Sequence, residues 1–151
     1  MNYLEIITLI IIRWVAGAES GSWSCVHPVI AKLPPNEQIS FQKGLLKTFG
    51  KVMPILMPLS LVLLVSYFVS NNDKCTIVGF WLLFATILHA TALVTTVLFN
   101  VPVNSETGKW VDNDFSSDWN IKRSRWRFFQ DYRAIVFVIV FIILVTILSM
   151  N

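Results

Sequence analysis

CTIVGFWLLFATILHATALVTTVLFNVPVN, residues 75–104, decides how the rest of the chain is read. From Cys75 to Phe99 it contains no Asp, Glu, Lys or Arg. A helix crosses a bilayer with about 20 predominantly apolar residues, so this stretch reads as a transmembrane helix. It is not uniformly apolar. At about 100° per residue, His89, Thr96 and Asn100 fall on one face. Lipid tails offer no hydrogen bonds, so that stripe has to turn toward other protein. The stretch closes on Asn100-Val101-Pro102-Val103-Asn104. Proline disfavours a helical residue before it, so Val101 is expected to be extended and Asn104 turned back under the mouth of a bundle. The plainer role for the two amides is capping of a helix end.

Composition agrees with a membrane interior. Of the 151 residues 55% are apolar and 14% charged, and mean hydropathy is +0.64. A soluble domain of this size cannot bury so much apolar surface. Three more stretches are long enough to cross: residues 3–25, 52–70 and 134–150, the last with an amphipathic lead-in. The expected fold class is all-α, a four-helix transmembrane bundle, with residues 1–151 as one integral membrane domain. Asn71-Asn72-Asp73-Lys74 reads as a tight turn that makes the second and third spans antiparallel neighbours. The first span is expected to be retained. Ala16-Gly17-Ala18 looks like a cleavage site, but no Lys or Arg precedes the apolar run and Arg13 interrupts it.

Membrane lipid is the first expected partner. The net charge is +3, and the basic residues sit in two loops rather than on one stripe, which argues against nucleic acid. One loop carries Lys32, Lys43, Lys47 and Lys51; the other carries Lys109, Lys122, Arg123, Arg125, Arg127 and Arg133; the opposite face has Lys74. The positive-inside rule places both long loops in the cytosol and both termini on the other side. Cys25 and Cys75 then lie near opposite faces, about 30 Å apart, beyond the reach of a disulfide. No metal-ligand spacing is present.

Charges within spans need a reason, since each costs about 2.5–3.5 kcal/mol at a helix centre. The first span has Arg13 and Glu19, which lie about 120° apart around a helix and are poor partners for each other. Gly17 and Gly21 form a G-x-x-x-G pattern, expected to pack inside the bundle rather than to make a homodimer. The fourth helix places Trp126, Gln130 and Arg133 on one face. His27-Pro28 ends the first span on the same side. Glu19, His27, Asn100, Asn104, Trp126, Gln130 and Arg133 thus converge near one membrane face, with His89 deeper on the same stripe. His27 and His89 differ in depth by roughly a dozen ångströms, which does not suit two axial ligands of one haem.

These residues carry a family resemblance. Ala16-Gly17-Ala18-Glu19, His27-Pro28, Gly50-Lys51-Val52-Met53-Pro54, Asn100-Val101-Pro102-Val103-Asn104 with Trp110, Asp118-Trp119, Arg125-Trp126 and Arg133 resemble the anthrone-oxygenase-like family of small four-helix membrane proteins. The similarity spans nearly the whole chain. It implies, for some fungal members, oxidation of anthrones to anthraquinones by dioxygen with no metal or flavin cofactor. Many members have a His where this chain has Gln130, and Gln exchanges no proton at neutral pH. The expected function is a cofactor-independent oxygenase of an apolar aromatic. The alternative is a non-catalytic protein that binds a small molecule or lipid, or a scaffold. In the first case Glu19, His27 and Arg133 are the catalytic candidates, and His89, Asn100, Asn104, Trp126 and Gln130 contact the substrate. An apolar small molecule is the candidate partner.

Overall fold

The computed structural model describes residues 2–71, 74–110 and 117–150, and among these the chain is helical with no strand. Asn72 and Asp73 of the expected polar turn lie outside the described residues. α1 (Tyr3–Gly21) opens with a reciprocal cap. Asn2 Oδ1 accepts from the Glu5 amide at 2.9 Å, and Glu5 Oε2 accepts from the Asn2 amide at 2.8 Å. Two amides that a helix start leaves bare are satisfied this way. A π turn (Ser22–Val26) and the short α2 (His27–Ile30) continue the same rod. The chain then reverses into α3 (Pro35–Ser70). Its second rod therefore begins well before residue 52, because 36–51 is a polar helical extension and not a loop. α4 (Ile77–Thr95) is capped by Thr76, whose Oγ1 accepts from the Gly79 amide at 3.2 Å. A second π turn (Thr96–Asn100) leads into α5 (Val101–Lys109), and α6 (Trp119–Ser149) follows.

The elements make four rods, residues 3–30, 35–70, 77–109 and 119–149. Each packs on its neighbour in sequence, and α6 closes the ring against α1. Short connections make successive rods antiparallel. Three rods are long and apolar enough to cross a membrane. The first is less apolar, and each of its charges has a place. Glu5 caps the helix, Arg13 is exposed on the outer face, and Glu19 is 1% exposed inside the bundle. Large apolar side chains such as Ile10, Val62, Phe80, Ile87 and Ile142 point outward. Polar groups point inward. This inversion is what a lipid solvent produces. The protein is an integral membrane four-helix bundle.

Two expectations are corrected. Val101 is helical, with φ −60° and ψ −44°, and not extended. Proline has no N–H, and its ring clashes with the carbonyl four residues back. The π turn ends two residues before Pro102 and widens the helix where that clash would fall, so the rod continues. The first rod repeats the device, with its π turn ending two residues before Pro28. Gly17 and Gly21 do not pack within the bundle; a Cβ at either meets nothing within 4 Å. Their ridge lies away from the buried face of Ile12, Val15, Ala16 and Glu19.

α6 shows how the interior is divided. Trp119, Arg123, Trp126, Gln130, Arg133, Phe137, Val140, Leu144 and Ile147 are all buried, at alternating steps of four and three. That is one continuous helix face. Its second half joins Ile12, Val15, Leu64 and Leu82 in an apolar core. Its first half is aromatic and polar. Phe137 is 0% exposed in the core, whereas Phe80 is 64% exposed toward lipid. Phe137→Ala should therefore destabilise the bundle by roughly 2–3 kcal/mol, at or below the low end for such cavities because lipid rather than water is the outer solvent. Phe80→Ala should melt within a degree or two of the parent, as a surface substitution does. Thermal unfolding in one detergent compares the two.

Candidate functional site

At the polar end of the bundle a cavity of about 270 Å³ lies among all four rods. Phe49, Met53, Met57, Leu93 and Val97 give it an apolar wall. α3 also contributes Pro54 and Pro58, which sit inside a helix that continues through both. The polar part of the lining comes from the first rod, the second π turn, α5 and α6, with Gln42 of α3.

Its centre is an ion pair. Arg133 Nη2 lies 3.0 Å from Glu19 Oε2, and Arg133 Nε donates to the same oxygen at 3.1 Å. Gln130 Nε2 donates to it at 2.7 Å. Arg133 Nη1 donates to Thr96 Oγ1 at 3.1 Å, and Nη2 also donates to Gln130 Oε1. Every guanidinium nitrogen of Arg133 is thus engaged. One carboxylate oxygen of Glu19 is held by three donors, and the other, Oε1, has no partner. The pair joins the first rod, the second π turn and α6.

A second network lies beside it. Asn104 Oδ1 accepts from Trp126 Nε1 at 2.8 Å and from Gln42 Nε2 at 3.1 Å. Arg123 Nη1 donates to Gln42 Oε1. The Arg123 guanidinium lies 4.4 Å from the Trp126 ring centroid and 5.8 Å from that of Trp119. His27 Nε2 is 3.2 Å from Ser22 Oγ, and its ring meets Trp126 edge-on at 5.2 Å. His27 follows the first span. Burial first, then the charges of Arg123, Arg127 and Arg133, push its pKa down to about 4, so the ring is neutral at physiological pH.

The π turns bring these side chains to one side. Glu19 and His27 are eight residues apart, which on a regular helix separates them by about 80°. One residue absorbed by a π turn removes about 100° of that rotation and leaves them about 20° apart. The same holds for Thr96 and Asn104. Single π turns of this kind are frequent at functional sites.

Of the eight residues singled out in the sequence, Glu19, His27, Asn104, Trp126, Gln130 and Arg133 line the cavity. Asn100 stands outside the lining; it is 0% exposed and its Nδ2 donates to the Trp126 carbonyl at 3.0 Å. His89 lies elsewhere. Its Nε2 is 3.0 Å from Ser60 Oγ and 3.3 Å from the Met57 carbonyl, and its ring sits 4.8 Å from Phe137. There it ties α4 to α3. Gln42 and Arg123 also line the cavity and were not singled out. Arg123 sits three residues before Trp126 and seven before Gln130, the spacing of their shared face. Gln42 has no such signal, since nothing in residues 36–51 sets it apart.

Removing one partner of a buried ion pair leaves an uncompensated charge, at a cost of about 3–5 kcal/mol. Arg133→Met and Glu19→Gln should each lower the melting temperature sharply, and the double variant should recover part of the loss. A double-mutant cycle of thermal unfolding checks this. His27 generates a second expectation. Its folded pKa of about 4 lies below the ordinary 6.5, so below 6.5 the unfolded chain binds a proton that the folded chain refuses. The His27 contribution holds stability constant above pH 6.5 and lowers it as pH falls toward 4. In His27→Gln that dependence should be shallower across pH 4–6.5.

Comparison with known proteins adds one match. A family model described as anthrone oxygenase matches residues 44–143, about two-thirds of the chain. The matched segment contains Asn104, Arg123, Trp126, Gln130 and Arg133, and Glu19 and His27 precede it. No curated protein and no solved structure matches the chain.

Proposed function

The chain belongs to the anthrone oxygenase family, and from that premise we propose that the cavity oxidises an apolar aromatic with dioxygen, using side chains alone. One observation carries this reading: a buried carboxylate, Glu19, is anchored by one oxygen and left bare at the other, in the polar wall of a cavity whose remaining wall is apolar. An anthrone has an acidic CH2 opposite a ring carbonyl. Its oxidation needs a positioned base, a polar environment for the resulting charge and exclusion of water.

Glu19 Oε1 takes a proton from the CH2. The electron pair delocalises onto the ring carbonyl oxygen. The carbanion passes one electron to dioxygen, and the radical pair closes a C–O bond to give a peroxide anion. Glu19 returns its proton to that oxygen. The remaining C–H proton leaves, the O–O bond breaks, and water departs from the new carbonyl. The sum is CH2 plus O2 giving C=O plus H2O. Arg133 and Gln130 are positioning residues in this scheme, since their bonds fix the carboxylate and leave Arg133 no nitrogen for substrate. His27 and the Asn104 amide supply polar contact at the same end. By the positive-inside rule this end faces the cytosol.

The same network also holds three rods together, which is all a non-catalytic binder of small molecules or lipid requires. Purified protein in detergent, supplied with emodin anthrone and oxygen, should raise quinone absorbance above the spontaneous rate. Glu19→Gln, assayed below its melting temperature, should slow this by about 100-fold or more, the range for loss of a general base. His89→Gln, outside the cavity, should change the rate by less than about threefold once folded protein is equalised. A folded parent protein with no rate above background on emodin anthrone or on a ring-carboxylated anthrone removes the oxygenase reading and leaves the binder.

A further inference from the structure

Among the described residues Arg123 is the cation of this cavity that has no counter-ion. Glu19 and Arg133 compensate each other, and His27 is neutral. The nearby carboxylates Glu106 and Asp118 are engaged by Lys122, at 2.6 Å and 3.2 Å. Arg123 is 5% exposed and has no carboxylate partner among the described residues. Among the described residues its one hydrogen bond, from Nη1, goes to the neutral amide of Gln42. Nε is buried without a partner, and among the described residues no hydrogen bond engages Nη2. Nε and Nη2 form the side-on edge of a guanidinium, the edge that grips a carboxylate with two parallel hydrogen bonds.

Burying a full charge with a neutral partner is costly, and two indole faces offset only part of that cost. A packing role does not need the charge, because a Met or Leu fills such a slot. A charge retained in a bundle interior is a candidate for function, and here it stands at a cavity wall. The surroundings say what kind. Trp126 packs against both Arg123 and His27 at the cavity wall, and the facing wall is Phe49, Met53 and Met57. A ligand that matches these surroundings is flat and apolar in its body and anionic at one edge.

We propose that Arg123 receives a carboxylate on the substrate, so that the cavity selects a planar aromatic acid over a neutral aromatic. This rests on the reading that the cavity holds an aromatic substrate; it does not require that the substrate be oxidised there. Arg123 is a specificity-determining residue in this role. Gln42 positions it by holding Nη1 and leaving the other edge open.

The test is binding, with turnover kept apart. The full chain in nanodiscs of neutral phosphatidylcholine is titrated with anthraquinone-2-carboxylate and with its methyl ester, read by quenching of tryptophan fluorescence. The acid should bind at least about tenfold more tightly than the ester, as a bidentate charged contact implies. Arg123→Gln should bring the two within about twofold. Gln42→Glu keeps the side-chain shape and gives Arg123 an internal counter-ion, at the cost of the bond to Asn104, so in folded protein it too should erase the preference. Equal binding of acid and ester by the parent protein overturns the proposal. So does a preference that survives in folded Arg123→Gln or in Gln42→Glu. Oxidation of emodin anthrone without an acid preference sinks this inference and spares the oxygenase reading. An acid preference without oxidation does the reverse.

Discussion

Inside a bilayer a polar side chain has only the protein to bond with. The Glu19–Arg133 pair is where this constraint acts hardest. Desolvating both ions costs more than their attraction returns unless the remaining hydrogen-bonding positions are filled. Arg133 engages every one of its three nitrogens, through Glu19, Gln130 and Thr96. The partners come from the first rod, the second π turn and α6, so satisfying one guanidinium fixes three rods against one another. The cavity is the space that remains beside this junction. α3 closes it with the apolar side chains of Phe49, Met53 and Met57, and its Gln42 bonds to Asn104 and Arg123.

Two prolines follow the same grammar. Each sits two residues past a π turn, and each rod stays helical through it. The widened turn relieves the proline clash and also resets the rotation of everything beyond it. That second effect matters more for the site. Without it His27 and Asn104 would face about 80° away from Glu19 and Thr96, and the cavity would lose much of its polar wall. The local cost of a π turn is thereby tied to the placement of the side chains that line the cavity.

This also explains what was legible in the sequence. Length and uninterrupted apolarity suffice to identify spans, so the bundle could be read from residues 75–99 outward. The face shared by Trp126, Gln130 and Arg133 follows from regular helical steps, and that part of the site was visible. Asn104 was picked out beside Pro102 on the expectation of a broken helix, and it lines the cavity for a different reason, the π turn. No periodicity announces a π turn. Arg123 was hidden by its company. It lies among Lys122, Arg125 and Arg127, and a cluster of charges reads as a solvated surface. Burial depends on which face of α6 turns into the bundle, and that is a property of the folded chain. His89 shows the converse: a polar residue on the inward stripe joined to Ser60 and Met57, away from the cavity.

Unpartnered buried atoms do not by themselves separate a site from a structural cluster. His89 Nδ1 and Asn100 Oδ1 are also without partners, and neither residue lines the cavity. Both belong to neutral groups, for which the loss is about 1–3 kcal/mol and a packed interior tolerates it. Glu19 Oε1 and Arg123 Nε belong to groups that carry or accept full charge, and leaving those incomplete costs more. A cluster whose sole task was to hold helices together would be under pressure to finish these bonds or to exchange the ions for apolar side chains, since such exchanges are often neutral or stabilising. Retaining both ionisable groups, each with an open valence and each at the wall of one cavity, is the arrangement expected where a ligand completes the set.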